Sequence, residues 1–238
     1  MTAIILKLIL AHLIGDFFLQ PRKWVKDKAK HKLKSIWLYV HILIHVILML
    51  LFLWDLSLWK LVVVIGTAHF VIDTLKLILQ TKRTERLLFF IDQLLHIISI
   101  IAAVIIITGE SITLNWGLTS KYLLLITCSV FLTMPTSIIM KTIFNKWNIS
   151  KLTKNSESLK DAGKYIGILE RLLVFIFILV NHWEAVGFLI TAKSVFRFGD
   201  LTAAKERKLT EYILIGTLIS FGIAIVISLL YLYLLSYV

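Results

Sequence analysis

The feature that most restricts this chain is a series of long apolar runs that are continuous rather than alternating. A spanning α-helix needs about 20 mainly apolar residues and pairs its backbone groups internally, whereas a barrel strand alternates apolar and polar positions. With 59% of residues hydrophobic, a mean hydropathy of +0.89 and two prolines, the chain reads as all-α. The expected architecture is a polytopic transmembrane helical bundle of about seven membrane helices, one of them short. The runs fall at roughly 2–20, 35–54, 61–80, 87–108, 120–140, 163–181 and 210–238, with a shorter one at 185–198. Pro21 is expected to stop the first helix, and Pro135 to kink the fifth and free a carbonyl that neighbours must satisfy.

A formal net charge of +12 would suggest nucleic acid in a soluble protein. Here the basic residues gather in alternate loops, so the charge reads as topology and no nucleic-acid partner is expected. That rule puts the loops after the first, third and fifth helices in the cytoplasm. The N-terminus has neither a basic n-region nor a small-residue cleavage site, so the first helix is expected to be retained. Cys128 is the single cysteine, which leaves no disulfide and no thiolate metal cage. The polar, lysine-bearing stretch at 141–164 reads as a linker. The expected units are a four-helix unit at 1–108 and a C-terminal unit at 109–238.

The first four helices each carry two metal-type side chains four residues apart: His12 and Asp16, His41 and His45, His69 and Asp73, Asp92 and His96. Positions i and i+4 lie on one helix face, one turn apart. At 1.5 Å per residue, Asp16, His41, Asp73 and Asp92 come out roughly 6 to 10 Å below the cytoplasmic boundary, and the other four about one turn deeper. Two stacked layers are expected. Ionisable groups at that depth are costly unless they share partners. One pair alone is explained by a hydrogen-bonded core histidine, but four pairs at one level point to a divalent metal. Imidazole and carboxylate suit zinc first, with iron or manganese as alternatives, and the set is large enough for one or two ions.

The C-terminal unit offers Glu170 and Arg171 on one helix, Lys193 and Arg197 on the short segment, and Glu211 at the start of the last. Arg171, Lys193 and Arg197 are expected to bind the anionic group of a substrate, and Glu170 or Asp92 to act as general base. Snorkelling lysines and a Glu170 ion pair are the plainer reading of the same residues.

The run Ala11-His12-Leu13-Ile14-Gly15-Asp16-Phe17-Phe18-Leu19-Gln20, together with His41, His45, His69, Asp73 and Asp92-Gln93-Leu94-Leu95-His96, resembles domain-of-unknown-function family 3307. The segments 163–171, 192–198 and 211–217 are similar to that family's later blocks. The resemblance implies a multi-pass bacterial inner-membrane protein and brings no activity with it. A looser similarity to membrane-bound metal-dependent hydrolases is analogy of residue type only.

The function expected is an intramembrane metal-dependent hydrolase acting from the cytoplasmic leaflet on a lipid-like or phosphate-bearing substrate, with membrane lipids as its surroundings. The alternative is a divalent-cation or proton transporter using the same site. A third reading, a di-iron redox enzyme on lipid chains, is set back by the absence of HxxHH boxes.

Overall fold

A computed structural model describes residues 1–109, 117–145, 161–198 and 204–236, without the side chains of 196–198 and 204–209. Among these, all regular structure is helical. The main helices are α1 (Thr2–Phe17), α2 (Arg22–His31), α3 (Ile36–Leu53), α4 (Trp59–Leu79), α5 (Glu85–Thr108), α6 (Leu118–Phe131), α7 (Met134–Phe144), α8 (Ala162–Leu179), α9 (Trp183–Phe198) and α10 (Ala204–Leu235).

The expected all-α architecture is what the structure has. Among the described residues, five elements are each long and apolar enough to cross a membrane, Ile36–Leu53, Leu56–Leu79, Glu85–Thr108, Leu118–Phe144 and Thr210–Leu235, and Thr2–Phe17 with Arg22–Lys34 passes only as a bent pair. Their outward faces carry large apolar side chains, with Leu43, Ile47, Leu51, Val63 and Leu94 all exposed. A surface of that kind is suited to lipid. The other helices fall short for physical reasons. With 16 residues α1 rises only about 24 Å, and α8 carries Lys164, Glu170 and Arg171 within 18 residues.

The chain divides into two compact units, Met1–Thr127 and Cys128–Tyr237. In the first, α1 and α4 each pack against both α3 and α5, which closes a ring of four helices. Short connections make neighbours antiparallel, so the end of α1, the start of α3, the end of α4 and the start of α5 share one end of the ring. The opposite end is filled by Leu8, Leu48, Met49, Leu61, Ile65 and Val104, among others. Lys7 reaches the same end and donates to the Leu53 carbonyl at 3.3 Å.

The basic stretch after α1, read from sequence as a loop, forms a helix. α1 ends at Phe17, earlier than expected, because Gln20 precedes a proline and is pushed out of the helical region. Pro21 then caps α2, and α1 and the segment Arg22–Lys34 meet at 81°. Trp24 of α2 stacks on Trp37 of α3 with centroids 4.5 Å apart. Asp27 accepts from Ser35 Oγ at 2.5 Å and pairs with His31 at 2.9 Å, which closes the turn between α2 and α3. Held this way, α2 turns one lysine, Lys28, into the protein.

In the second unit α8 packs against α7, α9 and α10. The kink expected at Pro135 is a full break between α6 and α7, with Pro135 in the first turn of α7. Thr136 Oγ donates to the Phe131 carbonyl at 2.7 Å, the acceptor that proline's missing N–H leaves open. Arg171 supplies the rest. Its Nε donates to the Leu132 carbonyl at 2.6 Å, and Nη2 to the Thr133 carbonyl at 3.0 Å and to Ser137 Oγ at 2.8 Å.

Candidate metal centre

All eight groups singled out at the i, i+4 positions converge inside the four-helix ring. Of their side chains, seven are almost wholly buried and Asp16 is 11% exposed. The two expected layers interlock, because the Asp16 carboxylate reaches nitrogens of both. Its Oδ1 lies 3.0 Å from His45 Nε2, 3.2 Å from His41 Nε2 and 3.7 Å from His69 Nε2. His41 Nε2 and His69 Nε2 are themselves 3.3 Å apart.

These separations fit a metal. Ligand atoms at about 2.0 to 2.1 Å from a tetrahedral ion are about 3.3 Å from one another. One ligand-type atom from each of Asp16, His41, His45 and His69 lies within 4.8 Å of the other three. Hydrogen bonding accounts for the arrangement less well. The two lone pairs of this oxygen can serve His45 and His41, but His69 Nε2 at 3.7 Å is beyond hydrogen-bond reach and is gathered in with no bond to Asp16 to account for it.

Close approach at this point depends on Gly15. A Cβ built there would overlap the His45 ring. Any other residue at position 15 would therefore move either α1 away from α3 or the imidazole out of the cluster.

The three carboxylates differ in their neighbours. Asp73 accepts from Lys28 Nζ at 2.9 Å, and Asp92 accepts from Lys76 Nζ at 2.7 Å. Asp16 has no lysine or arginine partner among the described residues, only imidazoles and the Gln93 amide, which donates to Oδ2 at 2.7 Å. Two buried charges are thus neutralised by the protein, and the one amid the histidines is left for another cation. Further groups orient the imidazoles. Gln20 Nε2 lies 2.9 Å from His41 Nε2 and 3.0 Å from His41 Nδ1, and Gln93 Oε1 lies 3.3 Å from His12 Nε2. The Gln93 oxygen on His12 is a contact of the kind that fixes the tautomer of a ligating histidine, and the Gln20 amide packs against the His41 ring.

Lys28, Lys76, Gln20 and Gln93 were not singled out as site residues from the sequence. Lys76 carried a signal: with His69 and Asp73 it forms an i, i+4, i+7 stripe on α4. Gln93 adjoins Asp92 and Gln20 precedes Pro21, but neither spacing points to a site.

The residues read as substrate and acid–base groups in the second unit have partners there. Arg171 is buried and spends its donors on the carbonyls at the α6–α7 break, on Ser137 and, through Nη1 at 3.2 Å, on Ser220 Oγ. Lys193 donates to Glu170 at 2.6 Å. The side chain of Arg197 lies outside the described residues. His31 pairs with Asp27, and His182 with Glu184.

In comparisons with known proteins, the sequence model of a family described as "Protein of unknown function (DUF3307)" matches residues 4–126. The matched stretch contains every residue of the cluster. No curated protein and no solved structure matches.

Proposed function

The chain belongs to the DUF3307 family, and from the cluster built within the matched stretch we propose an intramembrane hydrolase that uses a divalent metal, zinc first, held by Asp16, His41, His45 and His69. The observation that carries this reading is the set of 3.0 to 3.7 Å separations between Asp16 Oδ1 and three imidazole Nε2 atoms. The substrate class is an ester or phosphoester of a lipid-like or phosphate-bearing molecule. The location is a bacterial inner membrane with the centre near the cytoplasmic face. In support, Arg22, Lys23, Lys26, Lys30, Lys82, Arg83 and Arg86 crowd the same end of the ring as the centre.

A divalent ion at this position supplies Lewis acidity and lowers the pKa of water. The residues do the rest. Asp16 and the three imidazoles fix the ion, while Gln93 holds the Asp16 carboxylate in place. Asp92 is the proton acceptor in this reading, since its Oδ2 is tied to Lys76 and Gln93 while its buried Oδ1 accepts no hydrogen bond. Water adds to the acyl carbon or phosphorus, its proton passes to Asp92, the ester C–O or P–O bond breaks, and Asp92 returns the proton to the leaving oxygen. Transport through the same centre is disfavoured by the apolar packing of Leu8, Leu48, Met49, Leu61, Ile65 and Val104 at the other end of the ring.

The test is purified protein assayed for metal content, for hydrolysis of generic phosphodiester and carboxylic ester substrates in mixed lipid micelles, and for zinc flux in proteoliposomes. Metal-dependent hydrolysis, abolished in His45→Ala and Asp16→Asn without loss of fold, is the expected result. Zinc flux without hydrolysis, or a folded protein that takes up no metal, would overturn the proposal.

A further inference from the structure

Beyond the four ligands just assigned, the ring holds buried polar atoms that nothing in the protein satisfies. His96 is 1% exposed, and neither of its ring nitrogens has a hydrogen-bond partner. His12 is 2% exposed, and its Nδ1 likewise has none. A buried polar group without a partner is destabilising even in a soluble protein. Hydrocarbon surroundings offer no water to relieve it.

The hydrogen-bond chain at Gln93 decides the state of His12. Asp16 Oδ2 is a carboxylate oxygen and accepts from Gln93 Nε2 at 2.7 Å. The other end of that amide, Oε1, is therefore an acceptor, and His12 Nε2, 3.3 Å away, carries the proton. Its Nδ1 is left as a bare lone pair in the interior. An imidazole whose outer N–H is held by an amide oxygen is in the form in which histidine ligates a metal.

His12, Asp16 and His96 each contribute one ligand-type atom to a group whose members lie within 4.8 Å of one another. The His12 and His96 rings have centroids 5.0 Å apart. Asp16 also belongs to the first centre, but through a different atom. Oδ1 faces His41, His45 and His69, while Oδ2 accepts from Gln93 and lies 3.9 Å from Nε2 of His12, the nitrogen that carries the proton, so His12 can ligate only through Nδ1.

We infer that a second divalent ion binds between His12, Asp16 and His96, with the Asp16 carboxylate bridging it to the first. This rests on the first ion's site, since Asp16 is common to both. Two ions about 3.5 to 4 Å apart form the usual clamp for in-line displacement at phosphorus, which narrows the substrate class towards phosphoesters. His96 Nδ1 also lies 3.8 Å from Asp92 Oδ1, so the proton acceptor is one imidazole away from the second ion.

The experiment uses the full-length protein in detergent, stripped and reloaded with cobalt(II). It reads cobalt per chain together with visible absorption and spin coupling. Two coupled ions per chain are expected, falling to one uncoupled ion in His96→Asn and in His12→Gln, with the absorption of the remaining ion unchanged. Saturation at one ion per chain, or retention of two ions in both variants, overturns the inference and leaves the first centre standing. No bound cobalt at all overturns both. Should a variant fail to fold, the stoichiometry and coupling of the unaltered protein decide alone.

Discussion

Asp16 and His45 meet across the α1–α3 contact with Oδ1 and Nε2 3.0 Å apart, in a gap that exists because residue 15 has no side chain. The same short distance draws His41 and His69 into range, so the geometry of the cluster is set by how closely two helices pack.

Gly15→Ala is therefore expected to damage the metal centre more than the fold. Overpacking of this kind costs typically about 1 to 3 kcal/mol. Metal content of the purified variant should fall by at least about half while thermal unfolding in detergent shifts only modestly. Full metal occupancy in that variant would show that the ring of His45 is not confined as described.

Lys28 is the only residue of α2 buried in the structure, and it ends on Asp73. Removing one partner of a buried ion pair costs about 3 to 5 kcal/mol because the other charge is stranded. Lys28→Met should be destabilised on that scale, and Lys28→Met combined with Asp73→Asn should recover most of the loss. A double-variant cycle of detergent unfolding measures the difference.

Arg171 braces the α6–α7 break rather than facing an open site, so its substitution should act on stability. Taking the Arg171 donor from the buried Leu132 carbonyl costs about 1 to 3 kcal/mol, whereas the Thr133 carbonyl keeps the Ser137 N–H at 3.1 Å and Ser137 Oγ at 2.8 Å. Arg171→Leu should lower the unfolding temperature, and metal bound per folded chain should stay unchanged. An Arg171→Lys variant that folds normally but shows a raised KM would instead support a substrate-binding role.

Asp27 provides a pH signature outside the spans. Its carboxyl is held below the usual value of 3.8, first by the hydrogen bond from Ser35 and then by His31. A carboxyl depressed on folding contributes stability that is complete above its unfolded pKa and is lost as pH falls through the folded one. Amide protection factors in the α2–α3 turn, corrected for the intrinsic pH dependence of exchange, should accordingly fall below about pH 4. Asp27→Asn should show the lower protection already at neutral pH and little further change on acidification.

The centre was legible in the sequence to the extent that it depends on local periodicity. His12 and Asp16, or Asp92 and His96, share a helix face whatever the tertiary fold, and antiparallel spans of similar length bring such faces to one level. What escaped the sequence depends on contacts between elements. Lys28 sits in a run of basic residues that looks like a topology signal, and only the turn at Pro21 and the Trp24–Trp37 stack direct it inward. Arg171 looked like an anion ligand because its true acceptors are main-chain carbonyls, which no side-chain pattern reveals. The division of the carboxylates, two neutralised by lysine and Asp16 left to the imidazoles, follows from side-chain partners that spacing does not encode.

X-ray absorption at the zinc edge of the zinc-loaded, purified protein tests the central claim most directly. The account predicts nitrogen and oxygen neighbours at about 2.0 to 2.1 Å with strong imidazole scattering and no sulfur, and loss of that imidazole signal in the combined His41→Ala, His45→Ala and His69→Ala variant. A spectrum of oxygen neighbours alone, unchanged by those three substitutions, would contradict it.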